Sequence, residues 1–132
     1  MTEISNNMTE VTAAVIKKDG KILICRRPAN KSCALLWEFP GGKQEPGETL
    51  EQALARECLE ELNINISVKE KLHETVYEYP GRKLRLHFFA AEIDSGTVMR
   101  KEHSEIKWVL PQEMKQHKFC PSDTEFISVH KF

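Results

Sequence analysis

Much is missing from this chain of 132 residues. No apolar run approaches the roughly 20 residues a helix needs to cross a bilayer, so a helical membrane protein is excluded. Met1-Thr2-Glu3-Ile4-Ser5-Asn6-Asn7 carries neither a basic segment nor an apolar stretch, and does not read as a secretory signal. Cys25, Cys33, Cys58 and Cys120 are too far apart for a C-x-x-C zinc pair. Without an export signal they read as reduced, buried or incidental thiols in a cytoplasmic protein. An excess of positive charge is absent too. Nineteen Lys and Arg against twenty Asp and Glu leave a net charge of -1, which excludes a broad basic face for extended nucleic acid. It does not exclude a small anionic ligand.

What is present suits one soluble domain. No repeat, linker or low-complexity stretch interrupts it. Residues 1–8 read as a loose tail and 9–132 as the domain, a monomer or homodimer. The near-zero charge hides an asymmetry. Between Gly41 and Leu62, six acids (Glu45, Glu48, Glu51, Glu57, Glu60, Glu61) face only Lys43 and Arg56, a net of -4, and the rest of the chain carries +3.

The pattern of elements is mostly extended. Residues 10–18 alternate weakly, Asp19-Gly20 is a hairpin turn, and 21–25 return as its partner strand. Residues 26–32 form a polar loop, and 35–40 run extended into Gly41-Gly42, with Pro40 forbidding helix at Phe39. Pro46-Gly47 closes a turn. Thr49 with Gln52 three residues on is a capping box, so a helix opens there and runs through Leu50, Leu54, Cys58 and Leu62. Asn63 suits its left-handed exit. Strands follow at 64–68, 72–79, 83–93 and 105–110, then a turn from Pro111 and a C-terminal helix to about His130, capped by Ser122 or Asp123. Trp37, Phe88, Phe89 and Trp108 read as core. The sum is α/β, with mostly antiparallel strands and two main helices.

On the first helix, Glu57, Glu60 and Glu61 fall within about 100° of arc. Like charges so placed repel, and Arg56 is the one base nearby. A stripe of this kind is either a solvated face or a site for hard divalent cations, which take carboxylates, main-chain carbonyls and water. The adjacent Gly-Gly turn lets backbone approach a ligand closely. Gly42-x5-Glu48-x7-Arg56-Glu57-Cys58-Leu59-Glu60-Glu61-Leu62-Asn63-Ile64 resembles the Nudix box, G-x5-E-x7-R-E-U-x-E-E-x-G-U with U apolar. Every charged position matches. Cys58 fills an apolar slot, and Asn63 stands where the box has glycine. Trp37-Glu38-Phe39-Pro40-Gly41-Gly42-Lys43 is similar to the MutT branch of that family.

The resemblance implies an α/β/α sandwich around a mixed, largely antiparallel sheet. It implies metal-dependent hydrolysis of a nucleoside triphosphate to monophosphate and pyrophosphate, using two or more Mg2+ or Mn2+ ions. Glu57, Glu60, Glu61 and the Gly41 carbonyl are implied as metal ligands, Arg56 as steering a neighbouring glutamate, and Glu48 and Gly42 as supports. Glu102, ahead of the last strand, is either a metal ligand and base or a charged loop tip; Glu57 is the other candidate base. His103 reads as a surface residue. Arg27 is implied at the phosphates, Phe39 and Arg82 against the nucleotide, and Asp123 at the base, where a carboxylate accepts from guanine N1–H and N2–H2 or cytosine N4–H2. An oxidised purine such as 8-oxo-dGTP is the leading substrate, for nucleotide-pool sanitation linked to DNA repair. CTP or a modified pyrimidine is its closest rival. A nucleoside diphosphate sugar, a dinucleoside polyphosphate and a non-catalytic nucleotide- or RNA-binding module are the other readings.

Overall fold

A computed structural model describes residues 8–132. The expected tail lies outside the described residues except for Met8, which is the first residue of strand β1 (Met8–Lys18). The remaining elements are β2 (Lys21–Arg26), β3 (Trp37–Glu38), β4 (Gly41–Lys43), α1 (Leu50–Leu62), β5 (Asn65–Tyr79), β6 (Arg82–Ser95), β7 (Glu105–Val109), a 3-10 turn at Pro111–Gln116, and α2 (Pro121–Val129). The seven strands join in one mixed sheet in the order β3-β2-β1-β6-β5, with β4 added to β1 and β7 to β2. All pairs are antiparallel except β1 with β6. This is the α/β sandwich with a largely antiparallel sheet that the sequence leads one to expect.

Alternation along β1 and β6 divides the core. Ala14, Ile16, Phe89 and Ala91 pack with Leu54, Cys58 and Leu62 of α1 on one face. Ala13, Val15, Leu86 and Phe88 meet Phe126 of α2 on the other. There Phe88 and Phe126 stack at 4.3 Å, and Phe39 packs edge-on to both. The apolar residues of α1 recur every fourth position, so the opposite stripe is left free for charge. The two strands expected at 64–68 and 72–79 are one, β5, with irregular register from Val68 to His73. The polar Lys69-Glu70 reads as a break but marks a bulge.

The helix ends follow local chemistry. Thr49 Oγ1 accepts from Gln52 N–H at 3.0 Å, and Gln52 Oε1 accepts from Thr49 N–H at 2.9 Å. Asn63 sits at φ 62° and its N–H closes on Leu59 O. The C-terminal helix differs from expectation. Cys120 is its N-cap and Pro121 its first residue, so neither Ser122 nor Asp123 caps it. Proline fits that first position because its missing N–H would be unpaired anyway. Thr49→Ala removes the Oγ1 that accepts from Gln52 N–H and is expected to destabilise the fold by about 1 kcal/mol. Thermal denaturation should show a midpoint lower by roughly 4 °C; an unchanged midpoint would mean the cap is not holding the helix.

Candidate functional site

A cavity of about 560 Å3 opens between the exposed stripe of α1, the Gly41-Gly42 strand, the loop after β2 and the first turn of α2. Gly41 has φ 152°, and a Cβ there would stand 2.0 Å from the Thr12 carbonyl oxygen of β1. A Cβ on Gly42 would stand 2.4 Å from the Glu57 carboxyl carbon. The absent side chain of Gly42 is thus the space into which Glu57 reaches. Glu57, Glu60 and Glu61 all line the cavity with Gly41 and Gly42.

Arg56 holds this acidic wall together. Its Nε and Nη2 donate to the two Glu48 oxygens at 2.6 and 3.0 Å, and Nη2 also to Lys43 O at 3.0 Å. Nη1 donates to Glu57 and Glu60, both at 3.2 Å. All five N–H groups of the guanidinium are therefore taken. The Glu48 bonds are the main cause of a raised Arg56 pKa, and Arg56 in turn lowers that of Glu48. Glu48 also accepts from Glu45 N–H at 2.9 Å, so it ties the loop to the helix.

Glu61 is the buried member, 9% exposed. Burial raises its pKa, and its hydrogen-bonded neighbour Glu57, itself raised by burial, adds to the effect. Its Oε1 is buried and has no hydrogen-bond partner. This donor set fits a hard divalent cation: it is all oxygen and crowded with negative charge. Among the described residues no three acid, His or Cys groups already converge as ligands; Glu57 and Glu60 are turned toward Arg56.

The other walls bring in most of the remaining candidates. Arg27 Nη1 donates to Glu38 at 3.1 Å and its Nε to Ser32 O. Asp123 lies in the first turn of α2, 4% exposed. Burial and then Glu38 raise its pKa, against the opposing pull of Arg27. Arg82 lines the cavity and packs over the Tyr79 ring at 5.6 Å. Glu102 stands half-exposed at the rim, 3.9 Å from Lys31 Nζ. Phe39 is the exception. Expected against the substrate, it is 3% exposed and packs on Phe88, Phe119 and Phe126 in the core. Strand alternation points Glu38 to the cavity side and so turns its neighbour Phe39 away.

Two residues were not legible as site members. Glu38 joins Arg27 to His103, and its signal was an acid set between the buried Trp37 and Phe39. His103, expected at the surface, is 5% exposed with Nε2 3.1 Å from Glu38 Oε2. Its burial depends on the loop folding against β2, where Ser104 N–H donates to Arg26 O at 2.9 Å. Nothing local to His103 announces that contact.

Known proteins resemble this chain over most of its length. A model of the NUDIX domain matches residues 7–129. The chain is 44% identical over 120 residues to a CTP pyrophosphohydrolase of Escherichia coli, covering 91% of this chain and 89% of that one. It is 35% identical over 123 residues to an 8-oxo-dGTP diphosphatase of Escherichia coli, covering 90% and 93%. The solution structure of the E. coli ORF135 protein superposes with a TM-score of 0.81 at 41% identity, covering 94% of this chain and 89% of that one.

Glu61→Gln keeps the shape of the side chain and removes its charge. Because the native pKa lies above the ordinary carboxyl value of 4.5, Glu61 favours the fold only when protonated, and that contribution is lost as pH rises above 4.5. In chelator at neutral pH the variant is expected to melt roughly 3 °C above the parent, with the gap closing below pH 4.5. Added Mg2+ or Mn2+ should raise the midpoint of the parent much more than that of the variant. A variant that melts lower in chelator at neutral pH, or equal metal shifts, would contradict the account of Glu61.

Proposed function

Since the chain belongs to the Nudix hydrolase family, we propose that it hydrolyses a nucleoside triphosphate to the monophosphate and pyrophosphate, in the cytoplasm. The observation that carries this reading is the wall of Glu57, Glu60 and Glu61 beside Gly41-Gly42, all lining one cavity. Nudix hydrolases generally use divalent metal. Glu57, Glu60, Glu61 and the Gly41 carbonyl would hold Mg2+ or Mn2+ here, two or more ions, with Glu102 placed to join them. Bound cations of this kind neutralise polyphosphate charge and lower the pKa of water.

The chain supplies the rest. Arg56 keeps the repelling carboxylates in fixed places, which is positioning in the catalytic sense. Arg27 and Lys31 give the cavity a positive wall for the phosphates, and Arg82 with Tyr79 borders the nucleotide. Glu57 or Glu102 accepts the proton of the attacking water.

Asp123 reads the base. Burial and the charge of Glu38 favour its neutral form, and a carboxylic acid presents one donor and one acceptor, the complement of cytosine N3 and N4–H2. The 44% identity to a CTP pyrophosphohydrolase supports the same choice. A second reading is an oxidised purine such as 8-oxo-dGTP, whose N1–H and N2–H2 suit the ionised form beside Arg27. The 35% identity to an 8-oxo-dGTP diphosphatase favours it, and that activity would serve DNA repair by clearing the nucleotide pool.

Pyrophosphate release from CTP, dCTP, dGTP and 8-oxo-dGTP, with and without Mg2+, tests these readings. Metal-dependent release is expected, fastest with the cytosine nucleotides. Retained nucleotide binding without release from any of them would sink the enzyme reading. Glu60→Gln should lower kcat about 100-fold or more with the fold intact, in keeping with a lost metal ligand. Asp123→Ala should raise KM for the preferred nucleotide about 10-fold and flatten the discrimination; unchanged preference would remove Asp123 from base recognition.

A further inference from the structure

His103 belongs to no motif in the sequence, yet it occupies a junction. Its Nε2 is 3.1 Å from Glu38 Oε2 and 3.9 Å from Glu61 Oε1. Glu38 turns its other oxygen to Arg27 Nη1 at 3.1 Å. One imidazole therefore stands between the arginine of the phosphate wall and the buried end of the carboxylate stripe. Glu102, the preceding residue, faces Lys31 at the rim, so neighbours in the chain serve different parts of the cavity.

The loop that carries His103 is tied down on both sides. Met99 N–H donates to Leu62 O at the end of α1, and Ser104 N–H donates to Arg26 O at the end of β2. Arg100 Nη1 donates to the His103 carbonyl at 3.1 Å. Because Nε2 faces two carboxylates it carries the ring proton, an assignment made from the hydrogen-bond network. The buried Nδ1 has no partner, so nothing on that side competes to turn the ring.

A carboxylate that gives one oxygen to a cation needs a donor at the other to choose and hold its orientation. Glu61 Oε1 has none, and His103 Nε2–H faces it at 3.9 Å, about 1 Å beyond hydrogen-bond distance. We propose that His103 is a positioning residue for Glu61: its Nε2–H holds the inner oxygen of that carboxylate and presents the outer one to a divalent cation. Glu38 keeps the imidazole in place. The proposal rests on the metal-binding reading of the stripe.

Calorimetric titration with Mn2+ alone tests it, using the parent, His103→Leu and His103→Gln, each also with Glu61→Gln. His103→Leu is expected to weaken Mn2+ binding about 10- to 100-fold. His103→Gln keeps an N–H donor and should recover most of that loss. With Glu61→Gln the two substitutions at 103 should make no further difference. In turnover, His103→Leu should move the Mn2+ dependence of the rate to about 10- to 100-fold higher concentration, and His103→Gln should move it much less. Parent-like Mn2+ affinity in His103→Leu would overturn the proposal, as would an equal loss in the Glu61→Gln background or no recovery with Gln. If His103→Leu fails to fold, His103→Phe, nearer the ring in shape, takes its place with the same expectations. A parent that binds no Mn2+ removes the metal reading itself, whereas a binding parent with indifferent variants removes only the role of His103.

Discussion

A helix that sets three carboxylates on one face works against itself unless something offsets their repulsion. Arg56 does so with five hydrogen bonds reaching Glu48, Glu57, Glu60 and the Lys43 carbonyl. Only arginine has the planar fork to do this; lysine would give one charge and three donors with no fixed directions. The same contacts pin the loop before α1 onto the helix, so the shape of the cavity and its charge are set by one side chain. The acidic wall then remains short of positive charge on its cavity side, where the proposed cations would bind.

The fold serves that arrangement by separating two kinds of surface. The apolar stripe of α1 is buried against β1 and β6, which leaves its acidic stripe facing Gly41-Gly42. The helix cannot rotate to relieve its charges without exposing Leu54, Cys58 and Leu62, each worth about 1.5–3 kcal/mol or less when buried, according to size. Hydrophobic packing thus holds an electrostatic arrangement that is unfavourable in isolation. The opposite wall is built differently, from Arg27, Glu38, His103 and Asp123, in which acids and bases alternate.

What the sequence made legible was local. The capping box, the left-handed Asn63, the Asp19-Gly20 turn and the i, i+3, i+4 spacing of Glu57, Glu60 and Glu61 are all decided within a few residues, and each is found in the structure. Phe39 misled because a motif position says nothing about which way its strand faces. Asp123 was placed near the right wall but one reading gave it to a cap, because Cys120 is a poor capping residue and Pro121 carries the helix start instead. His103 stayed hidden because its surroundings come from Glu38 and Glu61, 65 and 42 positions away along the chain. Long-range burial leaves no trace in spacing.

The parallel pairing of β1 with β6 carries a consequence for the newly made chain. Strand β6 ends at Ser95, and parallel neighbours cannot be joined by a tight turn, so everything between them, α1 included, forms one long crossover. A chain emerging from the ribosome can form the capped helix and the β1–β2 hairpin early. The sheet face that α1 covers is complete only when Phe89 and Ala91 of β6 have left the exit tunnel, and Asp123 arrives later still. Until then Leu54, Cys58 and Leu62 have only the β1 and β2 part of their cover, a stretch of synthesis in which partly exposed apolar surface invites aggregation and chaperone binding.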